Sequence, residues 1–73
     1  VRTRDQDIQA VKDLLFGETT TVFWSEEGGG EVHRISDGYE LYEVPQYGGE
    51  PHFYGKFYLG EEDRLVDIAR TWT

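Results

Sequence analysis

Few residues in this chain are suited to chemistry, and their spacing decides how far each can be taken. Its two histidines each follow a glutamate by two positions, in Glu31-Val32-His33 and Glu50-Pro51-His52. Residues two apart on a strand share a face, so each pair sets a carboxylate beside an imidazole, part of a zinc or copper donor set. A joint site would need both pairs on one side of adjacent strands, and the register derived below separates them. Ser25 and Ser36 lack the G-x-S-x-G strand–elbow–helix setting of a hydrolase nucleophile. The absence of cysteine excludes thiolate chemistry and cysteine-ligated metal. Gly28-Gly29-Gly30 matches neither phosphate-loop pattern, and Glu26, Glu27 and Glu31 around it would repel phosphate. Acid–base catalysis needs a pocket that drives two carboxyl pKa values apart, whereas the carboxylates here fall mainly on turns and helix starts. No catalytic residue, cofactor or metal is expected, and a small enzyme or metal-binding protein ranks behind two non-catalytic readings.

The elements that must position these residues come from a chain of 73 residues, one domain spanning 1–73. A chain of this size supports one layer of helix on one sheet. It begins at Val1 and has no methionine, so a trimmed piece of something longer is expected. No apolar run approaches the roughly 20 residues of a membrane span, and a cytoplasmic setting is expected. The net charge of −8 is unevenly spread. Residues 1–17 balance, 18–50 carry eight acidic side chains against Arg34 alone, and 51–73 are near neutral. That sign disfavours direct nucleic-acid binding and anionic membranes, because both need Lys and Arg against phosphate. Solubility, adaptation to high salt, or mimicry of a nucleic-acid backbone by Glu26, Glu27, Glu31 and Glu50 would each account for it.

Hydrophobic periodicity predicts an α+β chain ordered α-β-β-β-β-α, a four-stranded antiparallel meander with both terminal helices on one face. The first helix is expected over 4–16. Thr3-x-x-Gln6 has capping-box spacing, Ile8, Val11, Leu14 and Leu15 form its apolar stripe, Phe16 closes over the sheet, and Gly17 ends it. Strands follow over 20–25, 31–35, 39–44 and 52–59. Ser36-Asp37-Gly38 is read as a three-residue hairpin with Gly38 in the left-handed conformation. The last helix spans 61–72, with acidic residues in its first turn and Leu65, Ile68, Ala69 and Trp72 as its buried stripe.

Seven of the eleven aromatic residues lie between Gly38 and Gly60, so the register there decides what is core. The three-residue turn sets Ile35 opposite Tyr39, His33 opposite Leu41 and Val32 opposite Tyr42. Continuing outward, Tyr42 faces Tyr54, Glu40 faces Lys56 and Tyr39 faces Phe57, while Phe23 faces His33 and Trp24 faces Val32. The covered face then holds Phe23, His33, Ile35, Tyr39, Leu41, Phe53, Phe57 and Leu59, with a gap at Gly55 for a close helix. The open face holds an aromatic row of Trp24, Val32, Tyr42, Tyr54 and Tyr58 beside a charge row of Arg34, Glu40 and Lys56.

Uncovered aromatic residues on a sheet mark interfaces. They also stack nucleobases in some single-strand binders, but the basic frame such binders use is missing. The expectation is a non-catalytic interaction module that takes a protein partner or forms a homodimer through Trp24, Val32, Tyr42, Tyr54 and Tyr58. The alternative is an acidic nucleic-acid mimic that inhibits a basic DNA- or RNA-binding protein.

Overall fold

The computed structural model describes residues 2–25, 28–45 and 49–72, with backbone alone for 23–25. The element order is α1 (Arg4–Lys12), β1 (Thr19–Ser25), β2 (Gly28–Ile35), β3 (Gly38–Val44), β4 (His52–Tyr58) and α2 (Glu62–Arg70). All neighbouring strands are antiparallel, in spatial order β1-β2-β3-β4, and both helices lie on one side. This is the α+β meander that the periodicity predicts. No described helix is long and apolar enough to cross a membrane.

The capping box forms as Thr3-x-x-Gln6 predicts: the Gln6 backbone N–H donates to Thr3 Oγ1 and the Thr3 N–H to Gln6 Oε1. The helix then stops at Lys12, four residues short of the expected end, with Asp13 as C-cap. Gly17 does take positive φ, +87°, but inside the following turn. Val11 is buried and Ile8 and Leu14 pack beside it, whereas Leu15 and Phe16 are exposed. Phe16 therefore does not close over the sheet. The backbone is diverted by strand entry, because Gly17 N–H donates to the Arg34 carbonyl and Arg34 N–H to that of Glu18.

The sheet register corrects the expectation in β2. The turn has two residues, 36–37, so Ile35 pairs with Gly38, Arg34 with Tyr39, His33 with Glu40 and Val32 with Leu41. A one-residue slip exchanges the two faces of a strand. Val32 is consequently core, and His33 and Ile35 turn to the open face. Burying a valine against Leu41 in place of an imidazole avoids desolvating a polar ring. Gly38 does not have the left-handed φ assigned to it. It lies flat against β4, where an added methyl would overlap the Phe57 carbonyl oxygen and come within 2.9 Å of Tyr58 Cα.

On the other side of β2, Gly28–Gly30 is strand and not turn. Thr19 therefore pairs with His33, Thr20 with Val32 and Val22 with Gly30, a displacement of four residues from the expected Phe23–His33 pairing. Val22 is buried. The close helix approach falls at Gly30 and not at Gly55. A Cβ on Gly30 would lie 2.9 Å from Ala69 Cβ, whereas one on Gly55 would meet nothing within 4 Å. Between β3 and β4, Tyr39–Phe57 and Glu40–Lys56 pair as predicted. A bulge after Leu41 then puts Phe53, not Tyr54, opposite Tyr42.

Val22, Val32, Leu41, Tyr39 and Phe57 meet Val11 of α1 and Leu65, Val66 and Ala69 of α2 in one cluster. The helix layer leans to one side. α2 packs over β1, β2 and β3, and α1 over β1 and α2, leaving β4 barely covered. Polar contacts fasten the helix seam. Asp7 is fully buried, with Arg70 Nη1 2.9 Å from Oδ2 and Arg2 Nε 3.1 Å from Oδ1. Arg4 grips Asp67 with two hydrogen bonds. At the far end, the Tyr39 hydroxyl donates to buried Glu62, 2.8 Å away, which also accepts from Gly60 N–H.

Two outcomes follow from these buried groups. Arg70→Met leaves the Asp7 carboxylate buried with Arg2 as its remaining partner among the described residues, and should destabilise the fold by about 3 kcal/mol in denaturant titration. Adding Asp7→Leu removes the buried charge and should recover most of that loss. The second concerns pH. Burial first, then Glu62, pushes the Tyr39 phenol up to about 12. Its contribution is fully present below pH about 10 and is lost as pH rises toward about 12. Stability measured against pH should fall across that window in the native chain and less steeply in Tyr39→Phe. Burial would raise the Glu62 carboxyl, but the backbone N–H groups of Gly60 and Glu62 with the Tyr39 hydroxyl hold it below its usual value. Its contribution is therefore present above pH about 4.5 and fades only as pH falls below it.

Candidate functional site

The side of the sheet away from the helices is built by alternation from β2, β3 and β4. Glu31 and His33 project there from β2, Glu40 and Tyr42 from β3, and Phe53, Lys56 and Tyr58 from β4. The rings form a row across the strands. His33 and Tyr42 have centroids 4.7 Å apart, and Tyr42 meets Phe53 edge-on at 5.4 Å. Phe53 ends the row with 58% of its surface exposed, and Tyr58 is 57% exposed on the same strand. An uncovered phenyl ring of that extent is the strongest apolar feature of this face.

Charges frame the row. His33 Nε2 lies 3.1 Å from Glu31 Oε1. The Tyr42 hydroxyl donates weakly to Glu40, at 3.5 Å, and partial burial followed by the Glu40 charge pushes its pKa up. Lys56 Nζ donates to Asp37 at 2.9 Å and stands 5.0 Å from the Tyr58 ring centroid. The hydrogen bond to Lys56 is the main reason the Asp37 carboxyl is lowered, and the same bond raises Lys56. Because Asp37 sits in the β2–β3 turn and Lys56 on β4, this pair holds three strands in line.

Of the residues expected on this surface, Tyr42 and Tyr58 are there. Val32 is fully buried beneath the helices, because the β2 register differs. Tyr54 is on the helix side, where the β4 bulge turns its ring toward Trp72. Trp24 lies in β1, and its side chain is outside the described residues. Of the acidic candidates, Glu31 is engaged with His33 and Glu50 is exposed, while Glu26 and Glu27 lie outside the described residues. His33 and Phe53 are the members that sequence reasoning assigned to the core. Pairing the two apolar residues Val32 and Leu41 would have placed His33 outward, but nothing in the sequence marks the bulge that reorients Phe53.

His33 and His52 stay apart, with β3 between their strands. Among the described residues no group of three His, Cys, Asp or Glu side chains is placed to hold a metal ion. The Glu31–His33 pair lies on an open sheet with no enclosing wall. What the arrangement offers is a strip of mutually tilted rings with side chains of both charges beside it.

Tyr42→Ala should test that this face is peripheral to folding. It removes two cross-strand ring contacts worth roughly 0.2–1 kcal/mol each. Leu41→Ala, one residue away but in the core, should cost about 2–5 kcal/mol. Thermal or denaturant unfolding of the two variants should show that contrast.

Compared with protein-family models, curated proteins and solved structures, the chain shows no significant match.

Proposed function

We propose that this chain is a non-catalytic protein-interaction module that docks through the open face of its sheet, with a second copy of itself as the simplest partner. The observation that carries this reading is the His33–Tyr42–Phe53 row, ending in a phenyl ring left exposed on the side opposite the helices. Centres of protein interfaces are enriched in aromatic residues and depleted of charge, with polar groups around them. On this face the rings pack together with charged residues directly beside them, Glu31 opposite Tyr42, Glu40 opposite His33 and Lys56 opposite Glu40.

The face is also suited to pairing with itself. Glu40 and Lys56 sit opposite one another on β3 and β4. A two-fold contact repeats the same patch on both copies, so Lys56 of one copy can meet Glu40 of the other. Against this stands the net charge of −8 on each copy, a repulsion that salt screens.

Sedimentation across a concentration series should therefore show a dimer that tightens as salt is raised, and Phe53→Glu or Tyr42→Glu should abolish it. A chain that stays monomeric at high concentration and high salt would overturn the self-association reading. Mimicry of a nucleic-acid backbone makes the opposite forecast, binding to a basic partner that weakens with salt.

A further inference from the structure

The other side of β4 carries a second surface, separate from the open face. Because the helix layer stops short of β4, a groove of about 620 Å³ remains between that strand and α2. Tyr54 and Trp72 meet in it edge to face, with centroids 5.2 Å apart and planes at 62°, so together they form an aromatic corner. Ile68 lies beside them, and Asp63, Arg64 and Asp67 line the rim. The bulge in β4 creates the corner: it places Tyr54 on the helix side together with Phe57, and the two rings stack at 6.3 Å with planes 6° apart.

The same wall already takes a guanidinium from within the chain. Arg64 Cζ stands 5.8 Å from the Phe57 ring centroid while its Nη1 pairs with Glu61 at 3.2 Å. Arg64 is thus occupied. Asp67 is neutralised by its two bonds from Arg4. Asp63 differs: one of its oxygens accepts from the Arg64 backbone N–H, and no cationic side chain pairs with it among the described residues. The corner therefore presents the Tyr54 and Trp72 rings beside one carboxylate that makes no direct ion pair among the described residues, its charge felt by Arg4 only at longer range, on a protein of net charge −8.

The geometry points to a docking site for an arginine side chain of a basic partner segment, its guanidinium against Tyr54 and Trp72 and its N–H groups toward Asp63. A planar guanidinium stacks on aromatic faces and forks onto a carboxylate, which a lysine ammonium cannot do together. Aromatic rings attract such cations through their negative faces. The site stands whether or not the open face pairs with anything, since the two lie on opposite sides of β4.

The test is a two-dimensional NMR titration of the ¹⁵N-labelled chain with the capped peptide Gly-Arg-Gly. Its citrulline counterpart, which keeps the shape and loses the charge, is the control. Saturable shifts of the Trp72 indole N–H and of the Tyr54 and Asp63 amides are expected with arginine, and much weaker ones with citrulline. Tyr54→Leu and Asp63→Asn, both at exposed positions, should each weaken binding by roughly two- to fivefold. The proposal is overturned if arginine and citrulline bind alike. It also fails if Tyr54→Leu leaves affinity unchanged, or if the shifts spread evenly over exposed acids such as Asp13, Glu18 and Glu50, which would report general acidity only.

Discussion

One steric constraint sets the parity of the sheet. Gly38 lies so close to β4 that any side chain on it would occupy the Phe57 carbonyl. With Gly38 held there as a strand residue paired to both Ile35 and Tyr58, the turn before it has two residues. Val32, Leu41 and Tyr39 then fall on the helix side and His33 and Tyr42 on the other. Arg34 shares the helix side at the sheet's end, where it is not stranded. Its guanidinium donates to the Ile35 carbonyl and to that of Gly38, and it stands over the Tyr39 ring. The contents of the core and of the open face both follow from this register.

The helix layer is held by a different kind of interaction. α2 can lie close on β2 because Gly30 has no side chain under Ala69. α1 is then tied to α2 by Asp7 with Arg70 and by Arg4 with Asp67. A fully buried carboxylate is costly unless it is paired, so Asp7 makes the seam depend on both arginines reaching it. Two helices placed over β1 to β3 cannot also cover β4. The exposure of Tyr54 on the helix side is thus a consequence of where the helices are anchored, while Phe53 and Tyr58 are exposed because they point to the face that carries no helices. β4 becomes a two-sided aromatic edge, with a ring row on one side and a groove on the other.

Much of the architecture was legible in residue patterns because it rests on local physics. Thr3 and Gln6 cap α1 in isolation from the rest of the fold. Leu65 and Ala69 recur at helical spacing, and Tyr39–Phe57 and Glu40–Lys56 pair wherever β3 meets β4 in that frame. The misreadings share a cause. Gly38 and the Gly28–Gly30 run were assigned to turns because glycine tolerates turn backbones, but Gly30 and Gly38 are needed for close approach, which only the packed neighbour reveals. Leu15 and Phe16 fit the α1 stripe by periodicity, yet the hydrogen bonds that draw Gly17 and Glu18 to β2 end the helix first.

The sequence by itself determined the class of fold, the order of its elements, and the uneven spread of acidic charge. These depend on composition and on contacts a few residues apart. Which aromatic residues are structural and which are free was decided only by the tertiary structure. That sorting depends on a turn shorter by one residue and a bulge at Tyr54, each of which moves side chains from one face to the other at little local cost. Their placement is settled by packing across strands and beneath helices, between residues far apart in the chain.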